Sequence, residues 1–66
     1  MDINVGKLIR EAREKQNLTQ EELAKKVGKK RSYISRIEGV EGANIKLKTL
    51  IQIIEKGFEG KITIEL

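Results

Sequence analysis

Four cations stand close together in the middle of the chain. Lys29, Lys30, Arg31 and Arg36 lie in a stretch that contains no acid. A guanidinium offers N–H donors in a planar fork that fits phosphate oxygens or the O6 and N7 atoms of guanine, whereas an ammonium acts as a point charge. Such a cluster suits a polyanion, although charge alone leaves open a face that is merely solvated. Ser32 and the single tyrosine, Tyr33, add hydroxyls between the arginines. Other chemistries lack their residues. With no histidine and no cysteine, disulfides and the common zinc sites are excluded. Ser32 and Ser35 have no recognisable base partner and no glycine-rich phosphate loop occurs, so no enzyme, catalytic residue, metal or cofactor is expected.

The charge is unevenly placed. The net charge is +4, and residues 19–38 hold six Lys/Arg against three Asp/Glu, while residues 39–66 balance four against four. The surplus therefore sits where the candidate chemistry is. A chain of 66 residues forms one domain and buries only about 60% of the surface its unfolded form exposes. Without disulfides or metals, oligomerisation is the expected support. There is no apolar run of membrane-spanning length and no signal-peptide pattern, which predicts a soluble, cytoplasmic protein with no membrane contact.

The elements that must position these residues are legible from hydrophobic period and caps. Val5, Leu8, Ile9 and Ala12 fall on one helical face and predict a helix over about 5–16. Asn4 or Asp2 stands near its start, and Asn17 is suited to the left-handed conformation that ends it. Thr19-Gln20-Glu21-Glu22 fits a capping box, and Leu18 with Leu23 fits a hydrophobic staple, so a second helix begins here. Leu23, Ala24 and Val27 face inward, and Gly28 stops the helix. A third helix is predicted over Lys30–Glu38, with Ile34 and Ile37 inward and Tyr33 on the flank. Lys29 and Lys30 occupy its cap, where Ser, Thr or Asn would serve better. A missing cap costs about 1 kcal/mol, which phosphate contacts by these lysines would offset. Residues 39–44 form a loop, and Leu47, Leu50, Ile51 and Ile54 predict a fourth helix over about 46–56, closed by Gly57. Lys61–Leu66 then alternates polar and apolar residues, the pattern of a strand with Ile62, Ile64 and Leu66 on its buried face.

Thr19–Glu38 therefore contains two short helices around a tight turn. Ala24 is small where they come closest, Gly28 makes the turn, and Leu23, Val27, Ile34 and Ile37 fill the space between them. This is a helix-turn-helix. Together with Ile9–Arg13, Leu18–Ala24, Val27-Gly28, Tyr33–Glu38 and Leu47–Leu50, the segment Leu8–Ile54 resembles the phage-repressor (Cro/Xre-like) helix-turn-helix family. The resemblance implies a mainly α, lambda-repressor-like bundle of four to five helices over residues 1–58. Its third helix would enter the major groove of double-stranded DNA, as in a sequence-specific transcriptional repressor. Matched to the family, Arg31, Ser32 and Arg36 stand where base edges are read, and Gln20 touches a phosphate at the start of the second helix. Lys29, Lys30 and Tyr33 are read as phosphate neighbours, with a purely packed Tyr33 as the other reading. Arg13 and Glu38 match a partly buried salt bridge of structural role. The chain departs from the family at Gly39-Val40, and its Glu41–Asn44 loop offers little positive charge beyond nearby Lys46.

Residues 59–66 are expected to serve dimerisation. A lone strand needs a ladder partner for its backbone groups. Two copies pairing antiparallel through Lys61–Leu66 would supply one and place two recognition helices about one DNA turn apart on a palindromic operator. The alternative is a tail that folds back on its own helices. A fourth helix followed by such a strand is also similar to small antitoxins of the HigA and HipB kind. That resemblance implies a second function, an antitoxin that binds a toxin protein and autoregulates its operon. One Tyr and one Phe are too few for the stacking platforms of RNA readers.

Overall fold

A computed structural model describes residues 4–66; Asp2, one of the two residues expected near the first helix start, lies outside them. The chain runs α1 (Val5–Lys15), α2 (Gln20–Lys26), α3 (Arg31–Glu38), a 3₁₀ segment (Val40–Asn44) and α4 (Leu47–Gln52), which continues as a π turn (Ile53–Gly57). The expected four-helix count is met, with the 3₁₀ segment in place of a plain loop.

The helix ends follow the local chemistry of the sequence. Asn4 caps α1 by accepting the Lys7 N–H at 3.0 Å. Asn17 has φ 58°, Asn17 N–H donates to the Glu14 carbonyl at 3.0 Å and Leu18 N–H to the Arg13 carbonyl at 2.9 Å. This paired closure consumes carbonyls that a helix end leaves without partners. At α2, the Thr19 hydroxyl accepts the Glu22 N–H at 3.1 Å and the Glu22 carboxylate accepts the Thr19 N–H at 2.8 Å.

That reciprocal cap makes α2 sensitive to acid. The hydrogen bond from the Thr19 backbone, followed by that from its side chain, holds the Glu22 carboxyl below its ordinary value of 4.5. The folded value is thus lower than the unfolded one. The stabilisation is complete above 4.5 and is lost as pH falls through the depressed value. Glu22→Gln should flatten the pH dependence of the thermal midpoint in this window, as followed by circular dichroism. An acid slope identical to wild type would show that the capping box does not contribute. Thr19→Ala should cost about 1 kcal/mol near neutral pH and less in acid, because the Thr19 side chain contributes to the lowered Glu22 pKa.

The core is Ile9, Leu23, Ala24, Ile34, Ile37 and Ile53, all buried, with Val5, Val27, Tyr33, Ile45, Leu50 and Phe58 packed around it. Three expectations are corrected. Of the stripe drawn on the fourth helix, Leu50 packs on the core and Ile51 and Ile54 are half-buried, but Leu47 is 57% exposed, and Ile53, which the stripe omits, is 1% exposed. Leu50, Ile53 and Gly57 stand at i, i+3, i+7, so the inward stripe keeps the helical period and runs through Ile53, which the expected stripe passed over; the helix then loosens into a π turn from Ile53 onward. The second correction concerns the tail. Lys61–Leu66 forms no strand; Ile62 is half-buried and Ile64 and Leu66 are exposed. Among the described residues of one chain its backbone has no second strand edge to pair with, and β structure needs one. Leu8, expected inward, is 51% exposed and edges an apolar groove with Ala12, Ile54 and Phe58.

Candidate nucleic-acid interface

The turn between α2 and α3 is closed by backbone bonds. Gly28 adopts φ +72° with open space around its α-carbon, so the backbone angle, and not crowding, calls for glycine there. Lys29 N–H reaches the Ala24 carbonyl at 2.8 Å and Gly28 N–H the Lys25 carbonyl at 3.2 Å. Below the turn, Leu23, Ala24, Ile34 and Ile37 pack in the common core. With that side of α3 buried, Arg31, Ser32, Ser35 and Arg36 are exposed, and Lys29 and Lys30 are exposed beside them. No side chain caps α3 at Lys30. The first amides of α3 therefore have no side-chain acceptor, and this end carries the positive pole of the helix dipole.

A chain of hydrogen bonds ties this surface to the frame. Arg13 Nε donates to Glu38 Oε2 at 2.6 Å, its Nη2 to Glu38 Oε1 at 3.1 Å and its Nη1 to the Leu18 carbonyl at 2.8 Å. The side chains of Arg13 and Glu38 are only 12% and 4% exposed. The hydrogen bond to Glu38 raises the Arg13 pKa above its ordinary value, against the opposing effect of burial. Gln20 Nε2 donates to the same Glu38 Oε1 at 3.1 Å, and Arg31 Nη1 donates to Gln20 Oε1 at 3.1 Å. Arg13, Glu38, Gln20 and Arg31 thus form one continuous network from α1 to the outer end of α3. Sequence reading paired Arg13 with Glu38 and treated Gln20 and Arg31 singly. The link through Gln20 joins residues 18 positions apart, a separation at which no local pattern carries a signal.

The other candidates group around this network. Lys29 Nζ lies 5.4 Å from the centre of the Tyr33 ring, within cation–π range, while Tyr33 itself is half-buried against the core. Arg36 Nε lies 3.4 Å from Glu41 Oε2, with both side chains largely exposed. Glu41 received no role from the sequence, and it is the carboxylate that touches the exposed face of α3. Gln20, Lys29, Lys30, Arg31, Ser32, Tyr33 and Arg36 are therefore gathered on the start of α2, the turn and α3. Ile62, Ile64 and Leu66 belong to the tail after the π turn and lie outside this group.

Among the described residues no helix is long and apolar enough to cross a membrane, and no group of three His, Cys, Asp or Glu residues is placed to hold a metal ion. No curated protein and no solved structure matches the chain. A family model described as helix-turn-helix matches residues 9–56, which include every element from the middle of α1 through α4. The match spans well over half of the sequence, and the geometry of α2, the Gly28 turn and α3 is that of the motif: the protein belongs to this helix-turn-helix family and is a DNA-binding transcription regulator.

Proposed function

We propose that the protein is a sequence-specific repressor that binds a palindromic operator as a dimer, with α3 in the major groove. The observation that carries this reading is the pair Arg31 and Arg36, exposed on successive turns of an α3 whose opposite side is buried. Arg31 gives one N–H to Gln20 and keeps the remaining donors of its fork for guanine O6 and N7. Ser32 reads a neighbouring base edge. The Gln20 amide nitrogen uses one hydrogen on Glu38, leaving the second for a phosphate at the start of α2. Lys29 and Lys30 add affinity without sequence information, with Tyr33 beside them. Nothing in this assignment requires a cofactor or an enzymatic step.

In the dimer, Lys61–Leu66 of each copy pairs with the other, so that the backbone left without a ladder in one chain acquires one and Ile62, Ile64 and Leu66 are covered. An antitoxin that represses its own operon is the second reading. It uses the same DNA face, and the exposed Ile64 and Leu66 are the surface that a toxin protein would cover.

Selection of duplexes from a randomised pool tests the proposal. Wild-type protein should enrich inverted half-sites whose centres lie about one helical turn apart, roughly 10 base pairs. Arg31→Ala should weaken the selected duplex by about 1–3 kcal/mol and relax the preference at one base pair. Lys29→Ala should weaken all sequences alike and lower the salt slope by about 1. Enrichment of no sequence would remove the repressor reading, and enrichment of single half-sites would remove the dimer.

A further inference from the structure

The two arginines on the reading face are not equally free. Arg31 is held by a neutral amide, whereas Arg36 Nε faces the Glu41 carboxylate at 3.4 Å. We propose that Glu41 is a specificity-determining residue of the DNA interface: it holds Arg36 away from phosphates and leaves it for a base edge. The inference rests on the repressor reading above and assigns a role that the reading does not contain.

Three observations carry it. First, Glu41 belongs to the 3₁₀ segment Val40–Asn44, which follows directly on α3. Its backbone is anchored there by Gly42, which is buried against the last turn of α3. The carboxylate is thus built into the frame beside Arg36 even though its tip is exposed. Second, among the described residues it is the acid paired with a cation of this face: the one acid within α3, Glu38, is turned inward to Arg13 and Gln20. Third, Glu41 and Lys46 line the same open groove beside Tyr33 and Thr49, so the acid borders a surface that otherwise offers a cation and hydroxyls to DNA.

The physical consequence follows from which atoms are engaged. A carboxylate at Nε neutralises the guanidinium locally and repels a phosphate that approaches along that edge. The two terminal amino groups remain open and present the end of the fork, which suits guanine O6 and N7. A phosphate gains little from a cation that is already paired. A correctly placed guanine gains the two directed hydrogen bonds regardless. An exposed ion pair is weak in itself, so Glu41 acts by biasing between two DNA targets and contributes little to the fold.

The test compares wild type, Glu41→Gln, Arg36→Ala and the double variant. Each is titrated with the duplex selected by wild type and with a random duplex of equal length, at two salt concentrations. For Glu41→Gln, affinity for the random duplex should rise and the ratio of selected to random affinity should fall roughly two- to fivefold, the scale of one exposed ion pair. Its salt slope on random DNA should steepen by about 0.9, one further phosphate engaged. In the Arg36→Ala background the same substitution should leave the ratio unchanged. An unchanged ratio in Glu41→Gln, or an equal effect with and without Arg36, overturns the proposal while wild type remains selective. If wild type itself does not distinguish the two duplexes, the repressor reading falls and this inference falls with it. Thermal midpoints of all four proteins should agree closely, and a large loss in Glu41→Gln would assign the residue to the fold instead.

Discussion

Arg13→Ala should destabilise the protein by up to about 3 kcal/mol, the lower end of the cost of removing one partner of a buried ion pair, because this pair is partly buried. Glu38, 4% exposed beside Arg13, would keep Gln20 as its remaining side-chain donor, and the Leu18 carbonyl would lose the donor that reaches it from Arg13. A domain of this length has a total stability of roughly 3–10 kcal/mol. The variant should therefore lose a large share of its stability, as urea titration followed by circular dichroism would show. Arg13→Lys should recover only part of the loss, because an ammonium cannot reproduce the fork that reaches both carboxylate oxygens. Replacing both partners, as in Arg13→Met with Glu38→Leu, should be milder than either single change, since no charge is then stranded. A loss below about 1 kcal/mol for Arg13→Ala would place the pair among ordinary surface bridges.

The second large effect is expected at two glycines that pack backbone against backbone. A Cβ on Gly6 would stand 2.6 Å from the Glu38 carbonyl oxygen and 2.9 Å from that of Ile37. A Cβ on Gly42 would overlap the same Ile37 carbonyl and lie 2.9 Å from the Gly6 nitrogen. The last turn of α3 is thus wedged between α1 and the 3₁₀ segment with no room for a methyl group. The obstacle in each case is main chain, which cannot rotate aside as a side chain would. Overpacking typically costs about 1–3 kcal/mol, and a contact with rigid backbone belongs at or above the upper end. Gly42→Ala and Gly6→Ala should each lower the urea midpoint accordingly. Gly60→Ala is the control: its Cβ would meet Ile54 Cγ2 at 3.5 Å, an ordinary contact, and stability should barely change. Equal midpoints for Gly42→Ala and Gly60→Ala would mean that the segment yields easily. Because Gly42 also sets the position of Glu41, Gly42→Ala should disturb DNA selectivity together with stability.

What was legible in advance shares a physical property. The Thr19–Glu22 cap, the left-handed Asn17 and the Gly28 turn are decided by groups within five or six residues of one another. Chain chemistry over that range is nearly independent of what packs around it. The basic run Lys29–Arg36 was equally visible, because exposure of a charged side chain is the default outcome. The Arg13–Glu38 pair became readable only through resemblance to a family.

The rest was decided by packing between distant segments. Ile53, and not Leu47, enters the core because the side of the fourth helix that carries Leu50, Ile53 and Gly57 is the one packed on the rest of the bundle, with Gly57 close against the side chains of Leu23 and Val27. Leu47, Leu50, Ile51 and Ile54 offer a second apolar stripe at the same period, and periodicity alone does not choose between the two. Gly6 shows nothing special in its own helix, and its small size matters only because the end of α3 arrives there. Gln20 links Glu38 to Arg31, and Glu41 faces Arg36, through contacts that exist only once the helices are in place. The alternation of Lys61–Leu66 is a preference for β pairing that goes unmet within one chain, since a strand needs an edge and the described residues supply none to it. Composition and local hydrogen bonding determined that this is a helix-turn-helix with a basic third helix; tertiary packing decided which of its side chains are tied down and which are left exposed.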